Sequence, residues 1–346
     1  MMRPMIRGLC TVAMAALALP ALARTSVPAA SSLSSRLLPI RAGTPLDFDD
    51  MGYSTALDRI LVPAAQSGAL ALIDPHTQAL TRWNNVVPAG PVAPHEDAGT
   101  TSADTGAGLV FVSDHADREV VALSERTHRP VARAKLASSP DYVRYVAPLR
   151  EVWVSEPHKA QIERFAVHGG AHPALVHVGA VPVKGGPESL VIDRRRMVAY
   201  SNQWGGHTLE ISLRDPHVIA RWSNTCRGSR GLALDAADGI VLVGCKEGRV
   251  VALDPAAHGR ILGQAKVGAG VDIIAWNPAL RHVYAPGARS ATLTVLHMGS
   301  RGQLTRVAQA PAARGSHCVA TDGRRHAYVC EPEQGAIRVY TDYAQP

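Results

Sequence analysis

Residues 315–340, GSHCVATDGRRHAYVCEPEQGAIRVY, decide the fold. His317 to Thr321 is a short apolar run, Asp322-Gly323 is a tight-turn pair, and His326 to Cys330 is a second run. An acidic loop from Glu331 to Gly335 leads into a third run, Ala336 to Tyr340. Each run is alternating or β-branched and is bounded by Gly, Asp or Pro, the pattern of half-buried sheet.

The same phrase recurs upstream. Aligned on the middle residue of the second-strand triplet, the anchors are Leu61, Phe111, Trp153, Ala199, Leu242, Tyr284 and Tyr328, at intervals of 50, 42, 46, 43, 42 and 44 residues. The stretches Ala69 to Asp74, Val120 to Leu123, Val250 to Asp254 and Ile337 to Tyr340 fall where third strands should be. A period of about 40–50 residues with several short strands per unit is the signature of a β-propeller with one four-stranded blade per repeat. Seven anchors predict an all-β, seven-bladed propeller with antiparallel blades. A β-sandwich does not require this spacing, and a β-helix uses a shorter repeat.

The last unit contains only three strands. Ser35 to Ile40, ahead of the first unit, is apolar enough to supply the fourth. Pairing the two chain ends would close the ring and remove an exposed sheet edge. The domain reading is an export signal over 1–23, a flexible leader over 24–35 and one propeller over 36–346.

The signal reading rests on basic Arg3 and Arg7, an apolar run from Gly8 to Leu19 and the small residues ending at Ala23. The run is too short to span a bilayer, and no later stretch approaches membrane-span length. Cleavage after Ala23 lowers Lys and Arg from 36 to 34 against 29 acids, a net charge of +5 with the signs interspersed. That balance is a poor fit to a nucleic-acid partner. A periplasmic or secreted monomer is expected.

Four cysteines remain after Cys10 leaves with the signal: Cys226, Cys245, Cys318 and Cys330. The blade frame sets each pair across one hairpin, favouring Cys226–Cys245 and Cys318–Cys330. A free redox pair or a metal site is the alternative, without CxxC spacing to support it.

HAYVCEPEQGAIRVY (326–340) and ILVPAAQSGALALID (60–74) resemble the YVTN-type repeats of secreted and periplasmic seven-bladed propellers, a superfamily with lactonase-like members. The resemblance covers nearly the whole mature chain and implies the architecture and the compartment. It also implies a lactonase-like activity as one option and, from other members, nucleic-acid binding as a lesser one.

Candidate site residues follow from blade geometry. The loop entering each first strand and the loop joining the second strand to the third meet at one face. The entry position, eleven or twelve residues before an anchor, holds Asp49 or Asp50, Asp141, Glu188, Arg230, Asp272 and His317; the second unit's longer loop carries His95, Glu96 and Asp97. The other loop set adds Asp114-His115, Glu156, His158, Asn202, Trp204, Lys246, Glu247, Arg289 and Glu331. Among these, Asp50, His95, Glu96, Asp97, Asp141, Glu188, Asn202, Trp204, Arg230, Asp272 and His317 are the expected ligand-binding residues. Crowded carboxylates repel one another unless a cation or an arginine neutralises them. A divalent ion held by Asp141, Glu188, Asp272 and His317 is one expectation, Ca²⁺ or Mg²⁺ before Zn²⁺. As bland alternatives, loop acids and histidines are solvated turn residues balanced by Arg230.

There is no CxxCH, no GxGxxG or Walker loop, no GxSxG elbow and no HExxH or EF-hand loop. Aromatic residues at 5% are too few for a base-stacking ladder. The expected function is binding of a small molecule, ion or periplasmic protein at the loop-rich central face, without catalysis. The main alternative is a metal-assisted hydrolase or lyase with Glu188 or His317 moving the proton.

Overall fold

A strand that is apolar at successive positions, as the VFV and VLV triplets are, is buried on both sides only if sheets lie against both faces, and this chain supplies them. The computed structural model describes residues 1, 33–90 and 99–345. Residues 2–23 of the stretch read as an export signal, most of the stretch read as a leader, and His95, Glu96 and Asp97 lie outside the described residues.

Seven four-stranded antiparallel sheets follow one another along the chain. All seven anchors sit on second strands, and none is more than 1% exposed. In the second strand Leu109–Asp114, Val110 and Val112 pack with Leu61, Leu70 and Leu72 of blade one. Phe111, between them, points the other way, against Val143, Val152 and Val154 of blade three. The VFV triplet is therefore a two-sided wedge between sheets. Truncating such a residue, for instance Phe111→Ala, costs about 3–5 kcal/mol through lost burial and the cavity left behind. Every later blade interface repeats this arrangement, and the last core cluster joins Tyr284, Tyr328 and Ile60 across blades six, seven and one.

The ring closes as the pattern predicts. Strand Leu33–Pro39 pairs antiparallel with Ala336–Asp342, in a register running from Leu33↔Asp342 to Pro39↔Ala336. It begins at Leu33, three residues inside the stretch read as leader. The third strand of blade seven continues past Tyr340 to Asp342 and offers partners that far, and Leu33 is buried.

Turn chemistry fixes the hairpins. Asp193, Asp235 and Asp322 each accept backbone N–H groups two or more residues on, at 3.0, 3.2 and 2.8 Å respectively. Gly323 has φ +67°, which glycine adopts without strain. The two disulfides form as the blade frame favoured, Cys226–Cys245 and Cys318–Cys330, with Cα separations of 5.3 and 5.5 Å. Each clips the innermost hairpin of its blade at the end where the entry residues lie. No helix among the described residues is long and apolar enough to cross a membrane.

Candidate functional site

The entry loops run into the innermost strands, and backbone bonds between neighbouring blades hold them in place. Asp50 N–H donates to Thr101 O (2.9 Å), Gly231 N–H to Asp272 O (2.6 Å) and Ile273 N–H to His317 O (3.0 Å). The result is a cavity of about 660 Å³ at the loop-rich face. Every blade contributes to its wall. Asp49, Asp141, Glu188, Arg230, Asp272 and His317 come from the entry positions. His115, His158, Trp204, Lys246 and Arg289 come from the loops between second and third strands, and Tyr142 adds an aromatic wall.

The charge is divided. Carboxylates lie on the side of blades one, three and four, whereas Arg230, Lys246 and Arg289 lie on the side of blades five and six, with Asp272 among them. Arg230 bridges the two sides: Nη1 is 3.3 Å from Glu188 Oε2 and Nε is 3.7 Å from Asp272 Oδ1. Trp204 Nε1 donates to the same Glu188 oxygen. Burial pushes the Glu188 carboxyl up to about 7; Asp272 adds to the rise, and Arg230 and Trp204 oppose it. Tyr142 is held well above the usual phenol range by burial and by the nearby carboxylates of Asp49, Asp141 and Glu188. Trp204 is 40% exposed at the rim, the only tryptophan among the exposed large apolar side chains of the described residues.

Several expected site residues stand elsewhere. Asp50 is 3% exposed and is a strut, not a wall residue. Arg144 donates to both of its oxygens, one bond measuring 2.8 Å, and Ser102 Oγ donates at 2.5 Å. Adjacent side chains of an extended segment point opposite ways, so Asp49 reaches the cavity and Asp50 turns inward. Asn202 is buried and donates to Arg230 O, while its Oδ1 accepts from Thr208 Oγ1 at 2.8 Å. It steadies Arg230 from behind.

The expected ion-binding set is not assembled. Asp141, Glu188, Asp272 and His317 do not form a group whose ligand atoms all lie within 4.8 Å of one another. Arg230 takes the position between Glu188 and Asp272. His317 is engaged on both sides, Nδ1 at 2.7 Å from Gly315 O and Nε2 at 2.8 Å from Phe48 O. A backbone carbonyl thus stands in front of each ring nitrogen, where a metal ion or a substrate proton would have to sit. His317 also approaches Cys318 and Cys330, but those sulfurs are spent in the disulfide.

Sequence reasoning missed Arg144 and Tyr142. The signal was present in DYVRYV (141–146): an arginine on an innermost, otherwise apolar strand must find a carboxylate.

No family model matches the chain, and no curated protein matches it in sequence. Solved structures do. A chain of the mitotic checkpoint complex superimposes with a TM-score of 0.71 at 11% identity, over 96% of this chain and 99% of its own. Kuenenia stuttgartiensis hydrazine synthase gives 0.68 at 12%, over 87% and 96%. The β-propeller domain of Myceliophteria thermophila Cps50 (Swd1) gives 0.66 at 11%, over 88% and 99%. At such identities the likeness is one of architecture. The chain is a seven-bladed β-propeller whose ring is closed by its own N-terminal strand.

Proposed function

We propose that this protein acts after export as a binding propeller, taking a small polar ligand of mixed charge, or a partner's side chains of that character, in the central cavity without transforming it. The observation carrying this reading is that all seven blades contribute to one cavity of about 660 Å³, with Asp49, Asp141 and Glu188 on one side and Arg230, Lys246 and Arg289, with Asp272 among them, on the other. Its size falls in the range of small-molecule sites, about 300–1,000 Å³. The Ala23 cleavage signature and two disulfides support a periplasmic or secreted setting. A protein partner is in keeping with the mitotic checkpoint complex chain that shares the fold.

A second reading, a lactonase-like hydrolase of the YVTN-repeat kind, draws on one observation. The Glu188 carboxyl, pushed up to about 7, is tuned to the range where a general acid–base group works best. Against it, Glu188 is already engaged by Arg230 and Trp204, and both nitrogens of His317 are occupied. A lactone-hydrolysis screen, with and without chelator, separates the two. The binding reading predicts no turnover above background in either condition. Turnover that Glu188→Gln abolishes would establish the enzyme instead.

A further inference from the structure

The last residue of the second strand is an acid in three blades: Asp114, Glu156 and Glu331. Each is fully buried and each pairs with the first residue of the third strand. The repeat thus provides its own control. In blade seven both oxygens of Glu331 are used, Oε1 by Arg338 and Oε2 by Gln334 (2.6 Å) and Arg338 (3.2 Å). In blade three Glu156 accepts from Ser138 N–H (3.1 Å) and Gln161 Nε2 (2.7 Å). Blade two differs. Asp114 Oδ1 accepts from Asp117 N–H at 3.2 Å, but the buried Oδ2 has no hydrogen-bond partner among the described residues. Arg133 Nη1 comes only to 3.8 Å of it.

Two further carboxylates share that corner. One oxygen each from Asp114, Asp117 and Glu119 lies within 4.8 Å of the others. Oxygens ligating one Ca²⁺ at about 2.3–2.6 Å are at most about 5 Å apart, so these three can reach a common ion. No other loop between second and third strands puts three acids in the six residues this one spans, DHADRE (114–119). The geometry points to a calcium site at the end of blade two, with Asp114, Asp117 and Glu119 as its protein ligands.

The local charges set its strength and its ion. Arg133 and Lys135 approach the Glu119 oxygens, each at 3.1 Å, and Lys135 also donates to Asp117 O at 3.1 Å. A carboxylate has about four acceptor positions, so Glu119 can keep these partners and still face an ion. Three acids against two cations leave a modest attraction, which suits the weak range of extracellular calcium modules, Kd about 10⁻⁴–10⁻³ M. Oxygen donors on an exposed loop favour the larger ion with flexible coordination over Mg²⁺. Three carboxylates this close to one another repel, and a divalent cation among them would relieve that repulsion. Because the next residue, His115, lines the central cavity, the ion would fix a loop that forms part of its wall.

Calorimetric titration of the purified full chain with CaCl₂, against KCl of matched ionic strength and against MgCl₂, tests this. Single-site binding is expected with Kd of about 10⁻⁴–10⁻³ M and Ca²⁺ preferred. Asp117→Asn changes an exposed side chain and should weaken binding at least about tenfold, as should Glu119→Gln, with ion-free melting of Asp117→Asn unchanged. No saturable heat by about 10 mM Ca²⁺, equal affinity in Asp117→Asn, or preference for Mg²⁺ would overturn the site.

Discussion

Arg230 stands 3.3 Å from Glu188, an entry residue of blade five neutralising the entry residue of blade four. The contact organises the cavity. It offsets part of the repulsion between the Glu188 and Asp272 carboxylates and sets the boundary between the acidic and basic walls.

Asp50 and Arg144 form the second pair around which the channel is built. Removing one member leaves the other charge buried and uncompensated, so Arg144→Met should destabilise the fold by about 3–5 kcal/mol. Urea unfolding checks this. Asp50→Asn/Arg144→Met together should recover part of the loss, because neither charge is then stranded.

Stability should fall as pH rises through neutrality, in part because of Glu156. Burial pushes its carboxyl up to about 7 from an ordinary 4.5, helped by the adjacent Glu163. The native state holds this proton more tightly than the unfolded chain. The contribution is therefore complete below pH 4.5 and lost as pH rises through about 7. Comparing urea unfolding at about pH 5 and about pH 8, wild type should lose more than Glu156→Gln, by at most about 3 kcal/mol. An identical pH dependence in the two proteins would count against it.

Each disulfide should contribute on the order of 3 kcal/mol, since they close loops of 19 and 12 residues. Cys226→Ser/Cys245→Ser should lower the denaturation midpoint and also loosen Arg230, four residues beyond Cys226. Denaturant titration of oxidised and reduced protein measures the first effect.

Deleting residues 33–39 should expose the edge of Ala336–Asp342 and leave blade seven with three strands. Aggregation or loss of the cooperative transition is expected, read by light scattering during thermal unfolding. A monomeric, fully stable deletion would show that closure is dispensable.

The fold was legible because the anchors recur with a near-constant period and because each triplet is apolar on both faces, as a strand between two sheets must be. The cavity was legible to the extent that chain distance from an anchor fixes the entry position: Asp141, Glu188, Arg230, Asp272 and His317 all reach it. What failed were choices made by partners far away in sequence. Asp50 turns inward because Arg144 lies 94 residues on. His317 is spent on Phe48 O, 269 residues distant. The buried Arg144 signals that it needs a carboxylate but not which one, the Phe48 contact leaves no local trace, and one side chain's rotation decides whether a carboxylate faces the cavity or an internal partner. The orphaned oxygen of Asp114 was likewise invisible until three blades could be laid side by side.

Neighbouring blades gather their entry residues into one electrostatically coupled site. Trp204 fluorescence reads this directly, because its Nε1 donates to Glu188. A pH titration of its emission, taken as the difference from Trp204→Phe, should show a midpoint near the Glu188 value of about 7 and none in Glu188→Gln. Arg230→Ala should raise that midpoint by removing the opposing cation, and Asp272→Asn should lower it by removing a like charge. A midpoint indifferent to both substitutions would contradict the claim.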